Sequence, residues 1–174
     1  MKLKEIENRF KTIQGLPEDY DLTQYPTTEE AKLVRREENK TLGEVFTPPM
    51  LIDEMIQKVD IDPTKRVLDL CAGRGNFGIR ILRKIANTHG ELVAMMFLKE
   101  KLWFNEYNLE NCKDILEIFG DDINLLCGDG REISKAKDRK GIQIWNGEEW
   151  LVTTADSVRQ SINYPEAGKL KRLF

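Results

Sequence analysis

A glycine-rich loop and three acidic residues are the part of this sequence best suited to ligand chemistry. The loop DLCAGRGNFG, residues 69–78, carries Gly73, Gly75 and Gly78 in the spacing G-x-G-x-x-G. Between a strand and a helix this spacing is typical of a pyrophosphate site, because backbone N–H groups and a helix N-terminus attract anions. Asp69, at the end of the predicted strand, would repel a pyrophosphate, so the loop favours a ligand with positive charge.

Two further acids follow the next predicted strands. Glu106 lies 33 residues past Gly73, whereas a dinucleotide site expects its ribose-binding acid about 20 residues on. Because the carboxyl ends of parallel strands share one edge of a sheet, Glu106 is placed to accept both ribose hydroxyls, and Asp129 an adenine amino group. Each acid alone is typical of a surface or capping carboxylate. Together with the loop they favour S-adenosylmethionine (SAM), whose ammonium and sulfonium groups would lie over Asp69.

Alternating strands and helices must position these residues. The pattern predicts a buried strand over 66–70, a helix from the loop to about 87, a strand over 101–107, a helix over 109–119 and a strand over 122–127. Residues 91–100 fit a helix or a strand. The alternation predicts an α/β fold with a mostly parallel sheet and right-handed crossovers.

Helices are also predicted before the first strand. One covers residues 1–15, and a capping box of Thr27 and Glu30 starts another that runs to about 39. A third begins at Pro48-Pro49. The first helix has Leu3, Ile6, Phe10 and Ile13 on one face, and the third has Leu51, Ile52, Met55, Ile56 and Val59.

The character of the chain changes after Gly130. Residues 131–174 hold nine Lys/Arg against six Asp/Glu, which suits contact with phosphates and equally suits a solvated surface. GIQIWNGEEWLVTT predicts a β-hairpin around Asn146-Gly147, because both residues tolerate positive φ. Trp145 and Trp150 would share a face of this hairpin, where packing onto the domain is favoured over stacking on a base.

Composition narrows the class of protein. The 174 residues suit one globular unit, and no apolar run approaches the length of a membrane span. The charged N-terminus is no secretory signal, so we expect a cytoplasmic protein. Three cysteines without a C-x-x-C pair and a single histidine predict no metal site. Cys71 and Cys127 are predicted to be reduced, buried thiols.

Two motifs resemble those of a known enzyme family. DLCAGRGNFG resembles the SAM-binding loop of class I SAM-dependent methyltransferases, particularly the N6-adenine DNA methyltransferases and the modification subunits of restriction systems. GEVFTPP, residues 43–49, resembles the segment that precedes that loop, and the resemblance covers about residues 40–130. It implies a Rossmann-like core with a mostly parallel sheet, whole or incomplete, followed by the C-terminal hairpin. It also implies SAM as cofactor, bound by Phe46, Thr47, Pro48, Asp69, Cys71, Ala72, Gly73, Gly75, Asn76, Phe77, Glu106 and Asp129.

One expected segment is not found. The same family carries Asn/Asp-Pro-Pro-aromatic after the fourth strand, where oxygen atoms orient the adenine N6 and the ring stacks on the flipped base. The only Pro-Pro here is Pro48-Pro49. Asn146 follows the predicted strand IQIW, but Gly-Glu-Glu after it favours the hairpin turn. Asn163, in NYP, has the right neighbours but follows a poor strand, so the catalytic group stays unknown with these two as candidates.

These observations divide the chain into an N-terminal helical segment (1–42), a SAM-binding α/β core (43–130) and a basic C-terminal segment with the hairpin (131–174). They favour a SAM-dependent methyltransferase domain acting on adenine N6 in DNA. It is either minimal or truncated, or it is part of a homo-oligomer or of an assembly with a second subunit. The alternative is a catalytically inactive module of the same fold that binds SAM, DNA or a protein partner. A nucleotide-dependent oxidoreductase is a third, less favoured interpretation.

Overall fold

The computed structural model describes residues 1–22, 47–136 and 139–160. The predicted capping-box helix, Phe46 and Asn163 lie outside these ranges. The described helices are α1 (Leu3–Ile13), α2 (Pro49–Lys58), α3 (Asn76–His89), α4 (Glu91–Glu100), α5 (Leu109–Phe119) and α6 (Ala155–Arg159), with a 3-10 helix over Gly130–Lys135. The strands are β1 (Val67–Asp69), β2 (Leu102–Glu106), β3 (Asn124–Cys127), β4 (Ile142–Trp145) and β5 (Trp150–Thr153).

The strands form one sheet in the order β1-β2-β3-β4-β5. The first four are parallel and the fifth is antiparallel to β4, which confirms the predicted α/β fold with a mostly parallel sheet. Parallel pairing brings the carboxyl ends of β1 to β4 to the same edge. Asp69 ends β1 and Glu106 ends β2, so both predicted acids lie at that edge.

Close packing at Phe104 joins the sheet to two helices. Phe104 of β2 stacks on Phe119 of α5, with ring centroids 4.8 Å apart. A Cβ built at Gly78 of α3 would lie 2.5 Å from the Phe104 ring, which is closer than real Cβ contacts. The third glycine of the loop motif therefore lets α3 pack tightly against β2.

Helix predictions hold where the apolar period is regular. In α1, Ile6 and Phe10 are buried as expected. Residues 91–100, which fitted either helix or strand, are helical, with Ala94, Phe97 and Leu98 buried at three- and four-residue spacing. Gly90, at φ 91°, separates this helix from α3.

The burial predictions for the first strand and for Cys71 were wrong. The strand predicted over 66–70 spans Val67–Asp69 and is not buried, since Leu68 is 43% and Leu70 49% exposed. Within the described residues β1 pairs with β2 alone, and an end strand has less cover than a central one. Cys71 follows this strand and is likewise exposed, although Cys127 of the central β3 is buried as predicted.

The apolar face predicted for α2 is only partly buried. Ile52 and Ile56 are buried, whereas the other three predicted members are exposed: Leu51, Met55 and Val59. The helical period explains the difference, because Ile52 and Ile56 form one stripe of the helix and Leu51 and Met55 form a second stripe about 100° away, while Val59 follows the end of the helix. Here α3 is the element with which α2 packs most.

The hairpin forms as predicted and belongs to the same sheet as the core. β4 pairs with β3 on one side and β5 on the other, with Gly147 of the turn at φ 100°. The rings of Trp145 and Trp150 lie 5.5 Å apart. Trp150 is buried and its indole N–H donates to the carbonyl of Glu132 at 3.0 Å. Packing onto the domain, rather than presentation to solvent, is thus the use of this tryptophan.

Candidate functional site

Glu106 is the most firmly held of the predicted site residues. Its side chain lies at the end of β2, is only 8% exposed, and accepts one backbone hydrogen bond on each carboxylate oxygen. The N–H of Gly73 donates to Oε2 at 2.7 Å, and the N–H of Asn108 donates to Oε1 at 2.7 Å. The backbone carbonyl of Glu106 accepts from the N–H of Gly128 at 2.9 Å. The carboxylate therefore links the glycine loop to the strand beside it in one fixed orientation.

Asp69 lies beside Glu106 in a poorly solvated position. Burial raises the pKa of the Asp69 carboxyl to about 6, against an opposing hydrogen bond from the N–H of Cys71, and the negative charge of Glu106 adds to the rise. Its Oδ2 is buried and has no hydrogen-bond partner within the described residues. A buried carboxylate oxygen without a donor is costly, which makes it a candidate contact for a cationic ligand.

The glycine loop has the conformation that its sequence predicts. Gly73 and Gly75 have φ values of 54° and 83°, a region that disfavours residues with a side chain. A Cβ at Gly75 would also lie 2.4 Å from the ring of Phe119. The N–H of Ala72 donates to the carbonyl of Asn105 at 2.9 Å, so the loop is hydrogen-bonded to β2. Both sterics and hydrogen bonds fix the path of the loop.

Asp129 lies at the same edge but already has a partner. Its carboxylate accepts from the backbone N–H of Arg131 at 2.9 Å and from the Arg131 guanidinium at 2.5 Å. These contacts hold the pKa of the Asp129 carboxyl below its usual range. Partial burial raises the pKa of the half-exposed Tyr107, and the nearby charge of Asp129 raises it further. An adenine amino group at Asp129 would have to share the carboxylate with Arg131.

The remaining predicted cofactor residues lie around the loop with different exposure. Asn76 is the first residue of α3, and Phe77 packs partly against the core. Thr47 and Pro48 are partly exposed before α2. Cys71 is exposed, and partial burial with the charges of Glu106 and Asp69 raises its thiol pKa, so the thiolate form is disfavoured. Phe46 lies outside the described residues.

The two candidate catalytic asparagines have separate outcomes. Asn146 follows β4 at the sheet edge, and its Oδ1 accepts the N–H groups of Glu148 and Glu149, both at 2.8 Å. The side chain therefore closes the hairpin turn, as its sequence context favoured. Asn163 lies outside the described residues.

Sequence reasoning missed two asparagines beside the acids. Asn105 is 2% exposed, donates from Nδ2 to the carbonyl of Leu70 at 2.9 Å, and leaves Oδ1 without a partner in the described part of the chain. Asn108 caps α5, accepting the N–H of Glu110 at 3.0 Å. An asparagine just before a predicted helix is an N-cap signal that would have found Asn108. The inward position of Asn105 requires knowledge of the strand register.

Comparison with known families assigns the chain to one of them. A family model for N-6 DNA methylases matches residues 32–125, just over half of the chain. The chain belongs to the N-6 DNA methylase family. No curated protein and no solved structure matched the sequence significantly.

The N-6 DNA methylase match covers part of the candidate site. The match covers the glycine loop, Glu106 and the first half of β3, and it ends before Asp129 and the hairpin. The family is one of SAM-dependent methyltransferases, which confirms the methyltransferase resemblance and the Rossmann-like fold. The described ranges contain no cluster of three metal-binding side chains and no helix long and apolar enough to cross a membrane.

Proposed function

We propose that this N-6 DNA methylase domain binds SAM at the carboxyl edge of β1 and β2 and acts on adenine N6 in DNA. The observation that carries the proposal is the Glu106 carboxylate, which accepts one N–H on each oxygen from Gly73 and Asn108. A carboxylate presents two oxygens in one plane, with about four lone-pair positions in all. Two acceptors held side by side match the vicinal hydroxyls of a ribose.

Asp69 supports a ligand of the opposite charge at the loop. Its buried Oδ2, which has no partner among the described residues, would gain a donor and a counter-charge from the ammonium of SAM. The pKa of about 6 leaves Asp69 mostly ionised at neutral pH, as this contact requires. A pyrophosphate would meet two carboxylates, so the charge of the site supports SAM over a dinucleotide.

The protein's contribution to methyl transfer is positioning. When bound, SAM supplies a methyl group made electrophilic by its sulfonium. Glu106 and the glycine loop would hold the adenosine and methionine parts, which fixes the direction in which the methyl group faces. No Asn/Asp-Pro-Pro-aromatic segment occurs in the sequence, so the adenine amine would be oriented by another segment of this chain, such as that of Asn163, or by a partner chain.

Calorimetric titration tests the cofactor site. Wild-type protein should bind SAM, and Glu106→Gln should weaken binding on the order of 10- to 100-fold, because an NH₂ replaces one charged acceptor. Glu110→Gln is the matched control, since Glu110 is exposed and pairs with Lys113. Equal SAM affinity in wild type and Glu106→Gln would refute the assignment of Glu106.

A second candidate function is a module that binds without transferring a methyl group. Its support is Asn146, whose Oδ1 accepts two N–H groups of the turn and so is not free to orient an amine. Transfer of labelled methyl from SAM to unmethylated DNA separates the two functions. Sustained incorporation by the purified chain excludes the binding module, whereas SAM binding without incorporation excludes an autonomous enzyme.

A further inference from the structure

Helix α2 is attached to the rest of the described structure by few apolar side chains. Ile52 and Ile56 are buried, but Leu51 and Met55 on the same helix, and Val59 just after it, are exposed. Burial of two side chains holds a ten-residue helix weakly, because the free energy gained must offset the conformational entropy lost when ten backbone residues are ordered. Polar contacts are therefore important for holding α2 in place.

Two basic residues of α3 supply these polar contacts. Nη1 of Arg80 donates to Oδ2 of Asp53 at 2.5 Å. One turn later, Nζ of Lys84 donates to the carbonyl of Ile56 at 2.8 Å and to that of Val59 at 3.3 Å. The second contact places a cation at the carbonyl end of α2, where the helix dipole favours it. We call this pair of residues the Arg80–Lys84 clasp.

Arg80 binds a second segment with the same guanidinium. Its Nη2 donates to the carbonyl of Leu22 at 3.1 Å, and its side chain is only 10% exposed. Leu22 and Asp53 flank residues 23–46 in the sequence, so Arg80 contacts the chain on both sides of that range. A planar guanidinium can donate to two acceptors at once, which the single ammonium of a lysine does less well.

The clasp also shows how the two helices are aligned. Arg80 contacts a residue 27 positions earlier, and Lys84 contacts one 28 positions earlier, so α2 and α3 run in the same direction. Carried back along both helices, this offset brings Pro49 level with Asn76, the first residue of α3. The residues just before α2 then lie at the same end as the glycine loop just before α3.

We propose that Arg80 and Lys84 are positioning residues for the methyl donor, because they set where Thr47 and Pro48 lie relative to the glycine loop. The inference rests on the proposed function and on the family resemblance, which implies that Thr47 and Pro48 contact the methionine end of SAM. Neither basic residue touches the ligand in this account. Displacement of a contact by about 1 Å is enough to lose much of its effect on a bound ligand.

The same helix offers a matched control. Arg83 lies three residues after Arg80 and pairs with Glu7 of α1 at 3.5 Å. Like Arg80, it is an arginine on α3 that joins its helix to another, but its partner helix does not lead to the loop. Loss of either arginine removes an interhelical ion pair, but only the loss of Arg80 weakens the attachment of α2.

The experiment compares two ligands by calorimetric titration. SAM carries the methionine part, and 5′-methylthioadenosine keeps the adenosine part but lacks the amino acid. Arg80→Met should weaken SAM about tenfold and methylthioadenosine less than about twofold, with Arg80→Lys in between. Arg83→Met should leave both affinities within about twofold of wild type, although it loses an ion pair.

Several results would overturn the positioning role of Arg80. Equal weakening of both ligands by Arg80→Met, or equal weakening of SAM by Arg80→Met and Arg83→Met, overturns the positioning role, because either result indicates a general loss of structure. Unchanged SAM affinity in Arg80→Met overturns it as well. If Arg80→Met does not fold, Lys84→Met is measured against the same criteria. A wild-type protein that binds neither ligand overturns the proposed function itself.

Discussion

The raised pKa of Asp69 predicts that SAM affinity falls as the pH drops below neutral. Burial holds the pKa of this carboxyl at about 6, and the charge of Glu106 adds to the effect. The ammonium of SAM stays protonated between pH 5 and 7, with a pKa of about 8 for an α-amino group. The ionised form of Asp69 is the one that binds an ammonium, so protonation of Asp69 competes with SAM.

The size of the effect follows from the pKa. With a value of about 6, the ionised fraction falls from about nine-tenths at pH 7 to about one-tenth at pH 5. The apparent dissociation constant should therefore rise about tenfold over this interval, because affinity scales with the competent fraction. Since binding favours the deprotonated form, it should also release about half a proton at pH 6.

Titration calorimetry at pH 5, 6 and 7, in buffers that differ in ionisation enthalpy, measures both quantities. Asp69→Asn should bind SAM weakly and with no dependence on pH across this range. Asp129→Asn is the matched control, since Arg131 already holds the pKa of Asp129 below its usual range. This variant should keep the pH dependence of wild type, whatever its affinity. A constant dissociation constant from pH 5 to 7, or an undiminished slope in Asp69→Asn, would refute the reasoning.

Three predictions concern stability in the absence of ligand. The pKa of Asp69 is higher in the folded protein, about 6 against 3.8. The folded state therefore binds the proton more tightly than the unfolded state does. The contribution of Asp69 to the free energy of unfolding falls as the pH rises from about 4 to about 6. Asp69→Asn should therefore stabilise the unliganded protein at pH 7, on the order of 1–3 kcal/mol by urea denaturation, and less at pH 5; an equal gain at both pH values contradicts this origin. Gly78→Ala should destabilise the folded protein by roughly 1–3 kcal/mol, because the new Cβ would meet the Phe104 ring. Asn87→Ala, at an exposed site on the same helix, is the control. A Gly78→Ala protein that is more stable than wild type would show that the packing is not tight. Trp150→Phe should cost about 1 kcal/mol by the same assay, because the carbonyl of Glu132 loses its indole donor; an unchanged urea midpoint would mean that this hydrogen bond contributes nothing.

The order of elements could be predicted because local signals repeat along the chain. The helix predicted over 109–119 has those bounds in the structure, since Asn108 caps its start and Gly120, at φ 85°, follows its end. The hairpin was predictable because Asn146-Gly147 specifies its turn. The position of a strand within the sheet has no such local signal. The apolar sequence around Leu68 and Leu70 therefore predicted that they are buried, although β1 pairs with only one strand within the described residues.

The position of the site at the sheet edge could be predicted from the sequence, but most of its hydrogen bonds could not. Acids that follow parallel strands must reach one edge, so Asp69 and Glu106 could be placed from the sequence. The two N–H donors of Glu106 depend on the path of the loop and of the cap at Asn108, which require the folded backbone. The pairing of Asp129 with Arg131 is local, and a basic residue two positions away was a readable signal for it.

Asn146 is the residue on which the enzyme and the binding module differ most. β4 is parallel to β3, so the residue after it reaches the same edge as the acids, where a methyl acceptor would have to lie. Its oxygen, however, accepts two backbone N–H groups of the turn. Releasing it to orient an amine would break both bonds, each worth about 0.5–1.5 kcal/mol, and would leave two donors to be solvated. The position suits catalysis while the side chain is hydrogen-bonded within the turn, so we expect that any methyl transfer by this chain uses an oxygen from another segment or another chain.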